Sequence, residues 1–380
     1  MEDIRNKSIS KTLRIKDIEV FALKIPLKKP IKMSGITVSF AENIFIKVIS
    51  EDNIYGWGEA SSAPTMTGEF VEGMYAAANY IKKQLIGLEI KNLLDLNILK
   101  KMPIYENKGT LSAFEMGLID LILKSEKSSF QKFMNFNNRN KIPIIQMVAG
   151  SSVDEEIDNV KKSVSNGFSR FKIKVGSSNS YEHDLSRCKK IIESVDKSCF
   201  FSADANEGFS FKSALEFSKL AKDCGLKFFE QPVPSQNLEH MKTLTAESSV
   251  PICSDEGVHS MSDILSIIFN KSSNGISLKT IKLGGMIDVL ESAIYASTKN
   301  ISINLAGKVA ETSISSYAIA NIARCIPQMD WDLSITNQYL EEDPVINPLL
   351  IDNGNILLTD LIGLGAELNM EVAHKYIKYV

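Results

Sequence analysis

Three acidic residues each follow a short apolar run in the middle of the chain. Asp204, Glu230 and Asp255 are 26 and 25 residues apart. That spacing is about one strand-plus-helix unit, so the three carboxylates would meet at one edge of a parallel sheet. Single acids at strand ends are often helix caps or solvated loop residues, but three in succession favour a shared site. Carboxylates without His or Cys favour Mg²⁺ or Mn²⁺ over zinc.

Lysines flank these acids in the chain. Lys172 and Lys174 are two residues apart, and in a strand such side chains share one face. One interpretation is purely structural: both lysines point into the barrel and form salt bridges there. The functional interpretation is that the neighbouring cation and a metal ion lower the pKa of one lysine, which can then act as a base near neutral pH. Lys279, four strands further on, would face this pair across the site.

A carbon atom held between opposed lysines could lose a proton to one and regain it from the other. If that carbon lies next to a carboxylate, proton removal creates a dianionic enediolate. A divalent ion on the carboxylate oxygens stabilises the developing charge, and the ammonium of Lys172 would add to it. The residue types therefore predict metal-dependent proton transfer next to a carboxylate.

The elements that must position these residues have a regular pattern after Lys141. Apolar runs alternate with amphipathic helical segments at intervals of roughly 25–30 residues, which predicts a (β/α)₈ barrel. The runs begin near residues 143, 170, 199, 227, 250, 276 and 301, and an eighth precedes Asp330. A doubly wound open sheet is the alternative, but no glycine-rich dinucleotide-binding turn follows the first run. Ser152, with Glu155, is predicted to cap the first helix.

Two further segments surround the predicted barrel. Residues 1–138 contain strand-like runs at 18–25 and 43–49 and then helical spacing, which predicts an α+β capping domain. Residues 343–380 return to hairpin patterns around Asn353-Gly354 and should complete that domain. The barrel domain is expected to span 139–342.

Composition excludes several classes of function. The net charge is −3 without a basic stripe, which argues against a nucleic-acid partner. Five dispersed cysteines fit reduced thiols, and four histidines lack the spacing of a zinc site. No apolar run approaches the roughly 20 residues needed to cross a bilayer. We expect a cytoplasmic homo-oligomer with a small-molecule substrate and neither nucleic acid nor a membrane as partner.

Taken together, these motifs resemble the enolase superfamily, and within it the muconate lactonizing enzyme subgroup, over nearly the whole chain. The matching motifs are KIK at 172–174, DAN at 204–206, EQP at 230–232, DE at 255–256, KTIKLGG at 279–285 and GWGEA at 56–60. The resemblance implies an enolase-like modified TIM barrel with an α+β cap. It assigns acid–base roles to Lys174 and Lys279 rather than Lys282.

The same resemblance implies further roles around the metal and the substrate. It makes Asp204, Glu230 and Asp255 the Mg²⁺ ligands, with Asn206 and Glu256 supporting them. An acidic pair at the end of the eighth strand resembles the dipeptide epimerase pattern, in which it holds the substrate ammonium. Asp330 and Asp332 match that pair, and a solvated acidic loop is the structural alternative.

Side-chain selectivity depends on residues around the first capping loop, 26–37, and the seventh strand. Epimerases of L-Ala-L-Glu often have an arginine where Ile36 stands here. Lys308, just past the seventh strand, could replace it; Lys32 is a weaker candidate, and both are otherwise surface residues. Without them, Ile36 and Met66 would favour a hydrophobic side chain. Glu311 is a further candidate for substrate contact.

The leading hypothesis is therefore a Mg²⁺-dependent dipeptide epimerase acting on a dipeptide such as L-Ala-L-Glu. The alternative within the subgroup is a muconate or chloromuconate cycloisomerase or an o-succinylbenzoate synthase. A barrel kept as a scaffold without turnover is a third hypothesis, opposed by the presence of every expected catalytic residue.

Overall fold

The computed structural model describes residues 4–33, 36–136, 139–177, 180–331 and 333–380, and the side chains at 32, 33 and 36 are also outside the described set. An antiparallel sheet forms the first part of the chain. Its strands are β1 (Ser8–Met33), β2 (Ile36–Ser50), β3 (Tyr55–Ser61) and β4 (Glu89–Asn92). β2 lies between β1 and β3, and β4 pairs with β1.

Helices cover this sheet. They are α1 (Val71–Leu85), α2 (Lys108–Ser125) and α3 (Phe130–Met134), and a 3₁₀ segment spans Leu93–Lys101. α2 is almost wholly buried. The glycines of the GWGEA motif allow its close approach, because a Cβ at Gly56 would lie 2.2 Å from the Gly117 carbonyl oxygen. A Cβ at Gly58 would lie 1.9 Å from the Ala113 carbonyl oxygen.

A short strand, β5 (Lys141–Pro143), leads into a parallel barrel, which confirms the predicted fold class. The barrel strands are β6 (Gln146–Val148), β7 (Arg170–Lys174), β8 (Phe200–Asp204), β9 (Leu226–Glu230), β10 (Ile252–Ser254), β11 (Gly275–Leu278), β12 (Ser302–Ala306) and β13 (Leu333–Ser334). Adjacent strands pair in sequence order. The barrel closes where the Ile145 N–H donates to the Leu333 carbonyl at 2.8 Å.

Helices follow the barrel strands. They are α4 (Val153–Ser165), α5 (Tyr181–Glu193), α6 (Phe211–Leu220), α7 (Leu238–Glu247), α8 (Met261–Asn270), α9 (Thr280–Leu283), α10 (Met286–Ser297) and α11 (Ser313–Cys325). Ser152 caps α4, as predicted, by accepting from the Glu155 N–H. The Glu155 carboxylate instead accepts from the backbone and hydroxyl of Ser151, so the predicted capping box is shifted by one residue.

The eighth strand differs from its prediction. The apolar run before Asp330 belongs to the end of α11 and the turn after it, whereas the strand lies after Asp330, at Leu333–Ser334. Trp331 explains this placement, because it is buried and its ring stacks on Phe228 at 4.2 Å. It also fills the space beside Gly275 at the start of β11.

The C-terminal tail returns to the first sheet. β14 (Ile351–Asp352) and β15 (Asn355–Leu357) form the predicted hairpin, with Asn353 and Gly354 both at positive φ, the backbone that an Asn-Gly turn favours. β15 pairs with β5, and after α12 (Met370–Ala373) the last strand, β16 (Ile377–Tyr379), pairs with β1. The domain boundaries at 138 and 342 stay predictions. Among the described residues, no helix has the length and apolar character needed to cross a bilayer.

Candidate active site

A cavity of about 410 Å³ opens at the carboxyl ends of the barrel strands, where this fold places its sites. The cap contributes Thr65 and Met66 to its wall. Most of the predicted site residues also line it, namely Lys172, Lys174, Asp204, Asn206, Glu230, Asp255, Glu256, Lys279 and Lys308. The structure therefore brings into one cavity predicted residues that are up to 242 positions apart in the sequence, from Met66 to Lys308.

Each predicted metal ligand is paired with a lysine. Lys174 donates to Asp204 at 2.5 Å and to the Asn206 amide oxygen at 2.7 Å. Lys172 donates to Glu230, and Lys279 donates to Asp255. Lys172 and Lys279 are each only 7% exposed. Such pairs satisfy charges that would be costly to bury alone.

Lys279 and Lys282 differ in position although both contact Asp255. Lys282 is fully buried and donates to the Asp255 carboxylate at 2.6 Å and to the Ser277 carbonyl at 3.1 Å. It does not line the cavity, whereas Lys279 does. The lysines outweigh the effect of burial and hold the pKa of Asp255 well below its usual range. Lys282 thus holds Asp255 in place, and Lys279 is the lysine available to a bound molecule.

The pKa of Lys172 is raised, whereas the sequence predicted a lowered pKa for one lysine of the Lys172 and Lys174 pair, and the pKa of Lys279 is raised as well. Burial favours neutral amines at Lys172 and Lys279, but the surrounding carboxylates outweigh it and raise the pKa of both. Glu230 and Asp204 act on Lys172, and Asp255 is the largest of these influences on Lys279. The raised pKa follows because Glu230 and Asp255 contact these lysines directly, so that the carboxylates outweigh the neighbouring cations.

The acids also crowd one another. Glu256 accepts from the Asn206 amide at 2.9 Å, and its second carboxylate oxygen is buried without a hydrogen-bond partner. Burial, with Asp255 and Asp204 nearby, raises the pKa of Glu256 to about 8. Among the described residues, no three acidic side chains form a closed metal-ligand group. Even so, converging carboxylates with an unpartnered oxygen suit a hard divalent cation in chemistry and charge.

Unusual backbone conformations hold these residues at the strand ends. Asn206 and Gln231, which follow β8 and β9, have φ values of 41° and 35°. Residues other than glycine rarely adopt a positive φ. Backbone strain of this kind is typical of functional sites. The Gln231 amide oxygen accepts from the Asp255 N–H at 2.8 Å. The EQP motif therefore positions the acid on the next strand.

The cavity wall from the seventh and eighth strands is different. Lys308 is 8% exposed, and its Nζ has only a long contact of 3.4 Å with the Val309 carbonyl. Ser334, Thr336 and Tyr339 continue this wall. Burial lowers the pKa of Lys308 to about 8. The negative charge of Glu311 raises this pKa, and the positive charges of Lys279 and Lys174 lower it further.

Glu311 does not line the cavity, contrary to its predicted role in substrate contact. It lies behind Gly307, where a Cβ would be 2.6 Å from its carboxylate. Burial, with the charge of Glu59, raises the pKa of Glu311 to about 8. Glu59, from the GWGEA motif, accepts from Thr312 and Ser315 at the start of α11 and thereby fixes the cap to the barrel.

The predicted position of Asp330 at the barrel mouth is wrong. Asp330 is exposed and accepts from Gln328 at 2.8 Å, and it does not line the cavity. Trp331 donates to the Ile303 carbonyl, so Asp330 lies level with the start of β12 rather than its end. The cause is the register of the eighth strand, which places Ser334 at the mouth. Asp332 and the side chains of Ile36 and Lys32 lie outside the described residues.

Several cavity residues were not predicted from the sequence. Ile145 and Met147 come from the first strand, and Ser334, Thr336 and Tyr339 from the eighth strand and the segment after it. Alternation along the first strand could have identified Ile145 and Met147, since residues two apart share a face. The short eighth strand offered no comparable pattern.

Comparisons with known proteins agree with this geometry. A family model described as "Enolase C-terminal domain-like" matches residues 155–372, and "Mandelate racemase / muconate lactonizing enzyme, N-terminal domain" matches residues 15–134. An L-Ala-D/L-Glu epimerase from Clostridium acetobutylicum is 29% identical over 360 residues, covering 93% of this chain and 98% of the relative.

Two solved structures have the same fold. A dipeptide epimerase from Cytophaga hutchinsonii, complexed with Mg and D-Ala-L-Val, has a TM-score of 0.89 at 24% identity and covers 96% of this chain and 98% of its own. A muconate lactonizing enzyme from Pseudomonas fluorescens, complexed with muconolactone, has a TM-score of 0.90 at 21% identity. The match covers 96% of this chain and 100% of that enzyme. With both family models matched, this chain belongs to the enolase superfamily and is one of its isomerases.

Proposed function

We propose that the enzyme is a dipeptide epimerase that reversibly inverts the α-carbon of the C-terminal residue of a dipeptide. The observation that carries the proposal is the placement of Lys174 and Lys279. They come from the second and sixth strands of an eight-stranded barrel, which lie on opposite sides, and both line one cavity. A carbon between them is accessible to a proton acceptor on one face and a proton donor on the other.

The proposed reaction is a 1,1-proton transfer. The neutral amine of one lysine takes the α-proton and becomes an ammonium, and the ammonium of the opposite lysine returns a proton to the other face. Neither proton needs to cross the cavity, because each lysine serves one face. Lys172 places a third ammonium beside the acids, where it can stabilise the charge that develops on the substrate carboxylate.

Asp204, Glu230 and Asp255 are the residues that would hold Mg²⁺, with Mn²⁺ as an alternative, and Asn206 and Glu256 would support them. When bound, the ion supplies positive charge to the carboxylate oxygens of the enediolate. Lys172 and Lys279 now owe their raised pKa to these same carboxylates. With the acids otherwise engaged, each lysine would lose that influence, and a larger fraction of it would be the neutral amine that can accept a proton.

The dipeptide as substrate is supported by the relatives that carry that name, including a hydrophobic dipeptide epimerase from Citrifermentans bemidjiense at 28% identity. Asp332 remains the proposed partner of the substrate ammonium, and it follows Asp330 in the sequence by two positions. Because Asp330 does not line the cavity, we propose that Asp332 binds the substrate ammonium without a second aspartate.

The experiment is exchange of the α-proton in D₂O. The enzyme is incubated with Mg²⁺ and a panel of L-Ala-L-Xaa dipeptides, and deuterium at the C-terminal α-carbon is followed by NMR. We expect incorporation together with formation of the L,D epimer, both abolished by EDTA and restored by Mg²⁺. Absence of exchange across the panel would contradict the proposal.

A cycloisomerase is the second candidate, and one observation favours it. In the described part of the cavity, the wall from the seventh and eighth strands carries the cation Lys308 and no acid. Such a wall suits a dicarboxylate such as cis,cis-muconate. Loss of muconate absorbance with no dipeptide exchange would favour that candidate, and an o-succinylbenzoate synthase would be tested on its own substrate in the same way. If Asp332→Asn left dipeptide epimerisation intact, the assigned ammonium site would be wrong.

A further inference from the structure

Lys308 differs from the other lysines of the cavity, because no anionic side chain among the described residues is paired with it. Lys172, Lys174 and Lys279 each donate to a carboxylate, and the buried Lys282 also does so. Lys308 reaches only the Val309 carbonyl, at 3.4 Å. Within the described part of the chain, no carboxylate forms an ion pair with it.

Glu311, the acid among the described residues that acts on Lys308, is poorly suited to neutralise it. Glu311 is buried behind Gly307 and has a carboxylate oxygen without a hydrogen-bond partner. Its pKa is raised to about 8 by burial and by Glu59, so it is largely protonated at neutral pH. Burial lowers the pKa of Lys308 to about 8 against the opposing charge of Glu311, and an anion bound beside the amine would raise that pKa again. A buried ammonium without a counter-ion favours any anion that can reach it.

The cavity offers space for that anion beside the reacting carbon. Lys308 lines the same cavity as Lys174 and Lys279, between which the substrate α-carbon is expected. The acids and Lys172 are on other strands of the barrel, where the α-carboxylate would bind. An anion at Lys308 is therefore a second negative group of the same substrate.

Hydrogen bonds from Thr336 position the backbone around Lys308. The Thr336 hydroxyl donates to the Lys308 carbonyl at 2.7 Å and accepts from the Glu311 N–H at 3.1 Å. This contact ties the segment after β12 to the segment after β13. The side chain of Lys308 therefore starts from a hydrogen-bonded backbone and is itself only 8% exposed, unlike a surface lysine.

We propose that Lys308 binds the side-chain carboxylate of the substrate and makes the enzyme selective for dipeptides with an acidic C-terminal residue. This inference rests on the proposed epimerase function and specifies its substrate class. Selectivity would come from the seventh strand, since the first capping loop has Ile36 at the position where an arginine was expected.

The test compares two substrates that match in shape and differ in charge, L-Ala-L-Glu and L-Ala-L-Gln. The wild-type enzyme should prefer the glutamate dipeptide in kcat/KM by roughly tenfold to a hundredfold, the range for a hydrogen bond between charged groups. In Lys308→Met the ratio should fall close to one, while Lys308→Arg should retain the preference. The ratio cancels any effect of Lys308 on the proton-transfer lysines.

Controls separate the possible outcomes. Lys222→Met, at an exposed lysine away from the cavity, should leave the ratio unchanged. If Lys308→Met does not fold, as judged by its thermal transition, Lys308→Gln replaces it. A ratio unaffected by loss of the cation, or a wild-type preference for glutamine, would overturn this inference alone. No exchange from any dipeptide would instead overturn the epimerase function.

Discussion

The mouth of the barrel has two halves with different chemistry. The paired half, on β7 to β11, carries Lys172, Lys174, Asp204, Glu230, Asp255 and Lys279, and each of its ammonium groups meets a carboxylate. The open half, on β12, β13 and the segments after them, carries Lys308, Ser334, Thr336 and Tyr339. In the part of the chain that the structure describes, its cation has no such partner. We infer from this difference that proton transfer takes place in the paired half and that the open half selects the substrate.

The largest expected effect is in the paired half, at Asp255. Asp255→Asn leaves Lys279 and Lys282 buried without their carboxylate. We expect exchange from every dipeptide to fall by roughly a thousandfold, typical of losing acid–base catalysis, and the unfolding free energy to fall by about 3–5 kcal/mol. NMR exchange and urea denaturation measure the two effects.

The matched control comes from the open half. Ser334→Ala should alter the relative rates among dipeptides without abolishing exchange. Near wild-type exchange in Asp255→Asn, or loss of all exchange in Ser334→Ala, would remove the distinction between the halves.

Glu311, behind the open half, gives a prediction about pH. Burial and Glu59 raise its pKa from an ordinary 4.5 to about 8, so between these values the folded chain keeps a proton that the unfolded chain has lost. Wild-type stability contributed by this group therefore falls as the pH rises through that window. Glu311→Gln should match the wild type near pH 4.5 and be more stable at pH 9, by about 1.4 kcal/mol per unit of pKa difference.

Denaturation in EDTA at several pH values measures this difference. Glu341→Gln, at an exposed position, serves as the control and should follow the wild-type curve. A constant difference between Glu311→Gln and the wild type at all pH values would show that Glu311 does not hold a proton in the folded chain.

Substitution of Thr336 tests whether the hydrogen bonds in the open half affect substrate preference. Thr336→Val removes the hydroxyl that bonds the Lys308 carbonyl and the Glu311 N–H. Loss of about 1 kcal/mol of hydrogen bonding should reduce the preference for L-Ala-L-Glu over L-Ala-L-Gln by roughly fivefold, mainly through KM. Thr336→Ser keeps the hydroxyl and should keep the preference, and a larger effect on kcat than on KM would place Thr336 in catalysis instead.

The smallest expected effect is at Asp330. Because this residue is exposed and level with the start of β12, Asp330→Asn should change kcat/KM for every dipeptide by less than about twofold, as surface substitutions usually do. Asp332→Asn is the comparison, and its effect should be specific to substrates with a free amine. A large loss in Asp330→Asn would mean that the eighth strand has a different register in the working enzyme.

The paired half was predictable from the sequence because its strands are regular. Short strand-like runs of five residues that end in Lys174, Asp204 and Glu230 indicate both the strand and the direction of its last side chain. The barrel, its cap and the Asn353-Gly354 hairpin followed from the same kind of pattern, and the structure confirms them.

The open half was harder to predict because packing, rather than pattern, determines it. β13 has two residues, and the burial of Trp331 against Phe228 sets where it begins. The paired lysines show a related limit. Their spacing identified them, but the direction of the pKa of Lys172 and Lys279 depends on carboxylates from neighbouring strands, whose distance no sequence spacing provides.

The most direct test of the central claim is stereospecific exchange in Lys174→Ala and Lys279→Ala. The α-proton of each epimer, L,L and L,D, is followed separately in D₂O by NMR. The two-lysine account predicts that each variant loses exchange from one epimer and that the two variants lose opposite ones. Equal loss from both epimers in either variant would contradict the claim that each lysine serves one face of the substrate.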